Sequence, residues 1–296
     1  MRPALLLVAN PAAGRGRAVR LAEVAAGLLS QRGFEVEVAS TGGQGEAARL
    51  AAGAAERDAA VVVACGGDGT VGECAGALAG RATALGVLPS GRGNDLAASL
   101  GIPQTLERGV DVIARGHERA IDLGVVNGRR FCTVVGIGFE ARVIELSRLA
   151  GFRPLRGAAY AAAALAALAR YRPPLTRLSG DFGTREGRFL LVAVSNTGRY
   201  GGGMRIAPAA APDDGLLDCC LVRTAPLRRV LRIFATVFRG GHARFDEVEL
   251  LPTARLEVET DAPARLVVDG DLYGTTPAAF TVAGLALRVR VPGGEG

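Results

Sequence analysis

The segment Val61-Val62-Val63-Ala64-Cys65-Gly66-Gly67-Asp68-Gly69-Thr70 constrains this chain more than any other. An unbroken Val/Ala/Cys run is apolar on both faces, as a strand in the middle of a parallel sheet must be. The glycines that follow leave no Cβ to keep an anion away from the backbone N–H groups, and a helix opened by such a turn directs its positive end at the bound group. Asp68 would repel a phosphate unless a divalent cation stood between them. A tight strand-to-helix turn without a ligand is the plain alternative.

The neighbouring sequence repeats this grammar. Short apolar runs at Leu5–Ala9, Glu35–Ala39, 60–64 and Leu85–Leu88 alternate with helical patterns near 17–31, 45–56 and 71–79, the signature of βαβ units. After about residue 120 the pattern changes to strand-like segments at 121–127, 130–136, 188–195, 216–222, 254–260 and 264–269, separated by Gly, Pro and Asp, which predicts an antiparallel β domain. Helices are expected across 156–170 and 226–239. In the second of these Leu227, Val230, Leu231, Phe234 and Phe238 share one face, expected to pack on the β domain. The expected division is 1–119 and 120–296, with the last residues free to return to the first domain.

Two further loops leave buried strands at the same edge of the sheet, Asn10-Pro11-Ala12-Ala13-Gly14-Arg15-Gly16 and Pro89-Ser90-Gly91-Arg92-Gly93-Asn94-Asp95. Parallel strands deliver their C-terminal loops to one side, where ligands bind. The net charge of +6 suits an anionic partner without choosing among phosphates, nucleic acid and a membrane. All 35 basic residues are arginine, which excludes any mechanism that needs a lysine. Five cysteines with no CxxC spacing support neither a disulfide framework nor a zinc site, so a reducing cytoplasm is expected. No signal peptide is evident, and the Ala-rich 158–169 is too short to span a bilayer, so any membrane contact is expected to be peripheral.

NPAAGRG at 10–16, GGDGT at 66–70 and PSGRGNDLA at 89–97 resemble the nucleotide-binding elements of the diacylglycerol kinase catalytic-domain family, which includes bacterial lipid kinases, sphingosine kinases and ceramide kinases. The resemblance continues through Ile121–Gly124, Gly136–Ala141, Pro212–Asp218 and Val268–Asp271, so it covers nearly the whole chain in order. It implies an α/β nucleotide domain like that of NAD kinases and phosphofructokinases, a C-terminal β-sandwich domain, and ATP between them.

By this resemblance, Asn10, Thr41 and the turn Gly66, Gly67, Asp68, Gly69, Thr70, Val71 and Gly72 bind ATP. Asp68 connects to Asp122 through Mg²⁺ and water, and Asn94 and Asp95 shape the pocket. A structural Mg²⁺ maps to the Asp214 side chain and the carbonyls of Ala211 and Leu216, an all-oxygen set of the kind a hard cation prefers. Asp271 stands where the family usually has Glu, as acceptor of the substrate hydroxyl proton, although Asp269-Gly270-Asp271 would otherwise read as a surface turn. Gly72 replaces a customary Asn. Arg92 replaces a Thr or Ser, and its guanidinium suits bidentate phosphate binding.

The implied activity is ATP-dependent phosphorylation of the hydroxyl of a diacylglycerol-like or related lipid at the membrane surface, with no nucleic-acid partner. Homodimers are frequent among relatives. An NAD kinase-like soluble kinase and a lipid or nucleotide sensor without catalysis are the alternatives. A dehydrogenase is suggested only by Gly136-x-Gly138-x-x-Ala141, and no GxxxxGK[ST] exists for a P-loop kinase. Between 142 and 177 seven arginines face one acid, Glu145, which with Phe152, Leu155, Tyr160 and Tyr171 predicts docking on anionic lipid. The helix at 226–239, with Arg228, Arg229, Arg232 and Arg239, is the second candidate for that role.

Overall fold

The computed structural model describes residues 2–149, 167–168 and 171–293. The first part alternates β1 (Ala4–Ala9), α1 (Arg17–Gln31), β2 (Glu35–Ser40), α2 (Glu46–Glu56), β3 (Val61–Gly66), α3 (Asp68–Leu78), β4 (Ala84–Pro89), α4 (Asp95–Ser99) and α5 (Leu106–Arg115). Its strands lie in the order β2-β1-β3-β4, all parallel. Side chains of successive strand residues point to opposite faces. Leu6, Val8, Val62, Ala64, Leu85 and Val87 accordingly meet α2 and α3, while Leu5, Leu7, Val61, Val63 and Cys65 meet α1 and α5. The α2 contact is made by Ala47, Ala51 and Ala54, which bring that helix close to its neighbours.

The second part contains β5 (His117–Val126), β6 (Arg129–Phe131), β7 (Val134–Ile137), α6 (Phe139–Leu149), β8 (Leu175–Gly180), β9 (Gly183–Ser195), β10 (Leu217–Arg223), α7 (Leu227–Thr236), β11 (Val248–Thr253), β12 (Arg255–Thr260), β13 (Arg265–Val268), β14 (Asp271–Thr275) and β15 (Ala278–Val291). Strand β9 pairs with β8 along its first half, then with β7 and β10 along its second, and so passes from one sheet to the other. Between the sheets lie Phe131, Val135, Ile137, Val194, Cys219, Leu221, Leu256, Leu266 and Phe280. The outer face of the β7-β9-β10-β11 sheet is covered by a second cluster that includes Val134, Ile206, Cys220, Ile233 and Val237.

Strand β15 joins the two parts. It pairs antiparallel with β12 and β5, and parallel with β4 through Val289 and Leu85. Its register breaks between Ala283 and Leu287, where Leu285 adopts φ 45°.

Four expectations are corrected. Helix α3 begins at Asp68, with Gly67 as N-cap in extended conformation, so the GGDGT turn already contains the first helical residues. The segment 130–136 is two strands, β6 and β7, because the N–H groups of Cys132, Thr133 and Val134 are taken by the Asp269 carboxylate and not by a ladder. On α7 the residues facing the sheet are Val230 and Ile233, followed by Val237; Leu227, Leu231, Phe234 and Phe238 point to solvent. Tyr171 packs edge-on against Phe139 at 5.6 Å, not outward. Apart from helical residues 167–168, the helix expected at 156–170 lies outside the described residues, as do the side chains of Arg148, Phe152, Arg153, Leu155, Arg156, Tyr160 and Arg170. Among the described residues no helix is long and apolar enough to cross a membrane.

Candidate active site

The three glycine-rich loops meet at the carboxyl edge of the parallel sheet. Asn10, just past β1, donates from Nδ2 to Thr70 Oγ1 at 3.0 Å, while its Oδ1 accepts Ala12 N–H at 2.9 Å. Thr41, just past β2, is buried and its N–H bonds the Ala9 carbonyl at 2.9 Å. A Cβ on Gly66 would collide with the Thr70 side chain, and one on Gly67 would lie 3.2 Å from Gly91 Cα. Gly66 is required by the Thr70 side chain and Gly67 by the close approach of the Gly91 backbone, and Val71 anchors the turn in the core.

Asp68 ties two loops together. Its oxygens accept the N–H groups of Asn94 at 2.9 Å and Asp95 at 2.6 Å, two donors that the start of α4 leaves without helical partners. Asn94, at φ 53°, closes its own loop by accepting Gly91 N–H at 2.9 Å. The buried Asp95 carboxylate accepts Gly202 N–H at 3.0 Å, which connects this loop to the β domain. Burial raises the Asp95 carboxyl above its ordinary value, and Asp68 nearby adds to the shift.

Between α2, α3 and the β5–β6 and β13–β14 turns lies a cavity of about 450 Å³, lined by Gly69, Gly72, Glu73, Arg129, Arg130 and Asp271 among others. The two acids of the Asp-Gly-Asp turn differ sharply. Asp269, at φ 48°, accepts from the N–H groups of Cys132, Thr133 and Val134 and from Thr133 Oγ1 at 2.6 Å. Burial raises its carboxyl while these donors pull it back. The Asp271 side chain is 47% exposed and pairs with Arg129 at 3.5 Å, so its carboxylate is open to the cavity. Arg129 also lies over the Tyr273 ring at 4.9 Å, and Arg130 donates to the Gly76 carbonyl of α3 at 3.4 Å. Glu73 accepts the N–H groups of Gly45 and Ala47, fixing the start of α2 beside the cavity.

Asp122 lies within β5. It is buried, and its oxygens accept Gly215 N–H at 2.7 Å and Leu285 N–H at 2.6 Å, so it holds the 212–218 turn to the register break of β15. In that turn Asp213 pairs with Arg119 at 2.8 Å, and Asp214 Oδ1 accepts Leu216 N–H at 3.0 Å. Asp218 is pushed up to about 6 by burial and by the charge of Asp214. Among the described residues no three Asp, Glu, His or Cys side chains cluster as a metal site. The Asp214 carboxylate lies close enough to Asp218 to raise it, and both offer oxygen, the donor type a hard cation prefers. Arg92 is exposed and makes no hydrogen bond or ion pair among the described residues.

The sequence reading passed over Arg129, Arg130, Glu73 and Glu140. Asn127-Gly128, both at positive φ between β5 and β6, is a hairpin signal that would have placed the arginine pair at a strand start. Glu140 lies in the first turn of α6 behind β7, buried, and among the described residues its Oε2 has no hydrogen-bond partner. Burial pushes it up to about 8, with Asp269 and Asp95 adding to the shift. Gly136 is required beneath it, since a Cβ there would meet the carboxyl.

Two family descriptions divide the chain between them: "Diacylglycerol kinase catalytic domain" matches residues 4–126, and "YegS C-terminal NAD kinase beta sandwich-like domain" matches 133–291. The chain belongs to the diacylglycerol kinase catalytic-domain family. A diacylglycerol kinase of Mycobacterium tuberculosis is 35% identical over 291 residues, covering 96% of this chain and 93% of the relative. A diacylglycerol kinase of Bacillus subtilis is 30% identical over 283 residues, covering 93% and 91%. A Pseudomonas aeruginosa protein named "Probable lipid kinase YegS-like" is 34% identical over 277 residues, covering 92% and 91%. A crystal structure of a diacylglycerol kinase from Bacillus anthracis superposes with a TM-score of 0.78 at 22% identity, over 98% of this chain and 97% of that one, and shows the same fold. As a member of this lipid-kinase family, the protein is a phosphotransferase with an alcohol group as acceptor, for which the family implies ATP as donor. The kinase has a parallel-sheet α/β domain followed by a β-sandwich domain.

Proposed function

We propose that the protein transfers the γ-phosphoryl group of ATP to the hydroxyl of a diacylglycerol-like or related membrane lipid. The observation that carries this reading is the placement of Asp271. Its half-exposed carboxylate lines the cavity that the first turns of α3 also line, through Gly69 and Gly72, whereas Asp269, which lines the same cavity, has its oxygens taken by four donors.

ATP phosphates at the 10–16, 66–72 and 89–95 loops would meet backbone N–H groups and the N-terminus of α3. Asp271 accepts the proton of the lipid hydroxyl as its oxygen bonds to the γ-phosphorus, the β,γ-bridging bond breaks, and ADP leaves. Arg129 and Arg130 supply positive charge beside that path, and Arg92 adds a free guanidinium at the edge of the nucleotide loops. Asp68, with lone pairs to spare beyond its two N–H contacts, is placed to hold Mg²⁺ with the nucleotide. Asp214 and the carbonyls of Ala211 and Leu216 would hold a structural Mg²⁺, with Asp122 keeping that turn in place. Mg²⁺ neutralises charge on the phosphate oxygens in the first position and crosslinks the turn in the second. The acceptor reaches the site from an anionic membrane surface on which the protein docks peripherally.

The test is phosphoryl transfer from radiolabelled ATP to a panel of lipids in mixed micelles, with NAD as a parallel acceptor. Labelled lipid is the expected product. Labelling of NAD and no lipid would move the protein to the soluble-kinase branch.

A further inference from the structure

The outward face of α7 belongs to no core. Leu227, Leu231, Phe234 and Phe238 recur at helical spacing and are 53%, 44%, 55% and 51% exposed. Their inward counterparts Ile233 and Val237 pack in the cluster on the outer face of the sheet, and Val230 is buried as well. Phe234 and Phe238 meet edge to face, 6.1 Å between ring centroids, which closes the stripe into one apolar patch. Four large exposed side chains in a row form the kind of contiguous patch that marks an interaction site.

Charge identifies the occupant. Between Thr224 and Arg244 the sequence has five arginines, Arg228, Arg229, Arg232, Arg239 and Arg244, and no acid. Arg229 is paired with Glu247 at 2.7 Å; the other four are exposed, and none forms an ion pair among the described residues. Arg228, Arg232 and Arg239 form a row along the flank of the apolar stripe that faces away from the packed residues. The exposed Arg205 is attached to the end of this segment, its backbone N–H bonding the Val237 carbonyl at 3.0 Å. A second copy of the chain would set this cationic strip against itself across a two-fold axis, since such an interface uses the same patch on both sides. A bilayer with anionic headgroups satisfies the apolar stripe and the arginines together.

The helix is also tied to the candidate active site. The 202–205 backbone that bonds Val237 also bonds the Asp95 carboxylate through Gly202 N–H, so a surface held at α7 is mechanically continuous with the nucleotide loops.

We propose that α7, with the turn through Arg239, is the membrane-docking surface of this protein, its Leu227/Leu231/Phe234/Phe238 stripe entering the headgroup region of an anionic bilayer. This rests on the lipid-acceptor reading above.

The experiment compares the full chain with Phe234→Ser/Phe238→Ser and Arg228→Glu/Arg232→Glu. Sedimentation is measured with phosphatidylglycerol/phosphatidylcholine vesicles and with phosphatidylcholine alone, at low and high salt. Binding confined to the anionic vesicles and weakened by salt is expected. Each double variant should lower partitioning by on the order of 20-fold, raise the apparent KM for vesicle-embedded lipid and leave turnover of a detergent-dispersed short-chain acceptor unchanged. Unchanged partitioning in both variants would overturn the proposal. So would a dimer in sedimentation equilibrium that dissociates on Phe234→Ser/Phe238→Ser without any preference for anionic vesicles. Failure of the lipid-acceptor reading appears separately, as no labelled lipid in micelles or vesicles whatever the vesicle binding.

Discussion

Replacing Glu140 by Gln should remove a specific pH dependence of stability. Glu140 is buried, its Oε2 is unpartnered, and its carboxyl is pushed from an ordinary 4.5 up to about 8. The folded protein therefore holds a proton that the unfolded chain releases above pH 4.5. Stability from this group is fully present below that pH and is lost as pH rises through 8. At about 1.4 kcal/mol per pKa unit, the wild type should lose about 3 kcal/mol relative to the variant between pH 5.5 and pH 8. Asp95, Asp218 and Asp269 are shifted in the same direction and remain in both proteins, so the difference between the two curves reads Glu140 together with its charge coupling to Asp269 and Asp95. Urea unfolding of both proteins at pH 5.5, 6.5, 7.5 and 8 gives that difference. A stability gap that stays constant across the series within about 0.5 kcal/mol would refute the assignment of a protonated Glu140.

Gly136→Ala should destabilise by about 1–3 kcal/mol, because its methyl must displace the Glu140 carboxyl inside a packed core; denaturant midpoints read this. Asp68→Ala should abolish phosphoryl transfer and lower stability by about 1 kcal/mol, since the N–H groups of Asn94 and Asp95 lose their acceptor; ATP titration and thermal melts separate the two effects. Asp214→Ala should remove any increase of Tm with Mg²⁺ and lower activity with it. A melting temperature with the same Mg²⁺ dependence as wild type would show that the 211–216 turn holds no structural ion.

The parallel sheet was legible because burial on both faces writes itself as continuous runs such as Val61–Cys65, and the loops because close approach demands glycine at 66, 67 and 91. What periodicity could not reveal was direction. Helix α7 carries two apolar stripes, and only the position of the sheet selects Val230/Ile233 over Leu231/Phe234. Nor could spacing separate Asp269 from Asp271. The donors that seal Asp269 lie at Cys132–Val134, far away in sequence, and the same contact breaks the strand expected at 130–136. Strand β15 escaped the reading because 278–284 is mostly small residues without a clear alternation, and because it pairs with strands of both parts of the chain. Asp122 matched a motif, yet its partners, Gly215 and Leu285, make it a clamp on the 212–218 turn, a role visible only when three distant segments meet.

The central claim, that Asp271 accepts the hydroxyl proton while Asp269 maintains the turn, is tested most directly by single-turnover kinetics of Asp271→Asn with lipid in mixed micelles. Turnover should fall by at least about 100-fold with the ATP KM and the melting temperature unchanged. Asp269→Asn serves as the contrasting variant and should lower the melting temperature, because a buried acceptor of four donors is disturbed. Near-normal turnover in Asp271→Asn would contradict the account and move the proton acceptor elsewhere in the cleft.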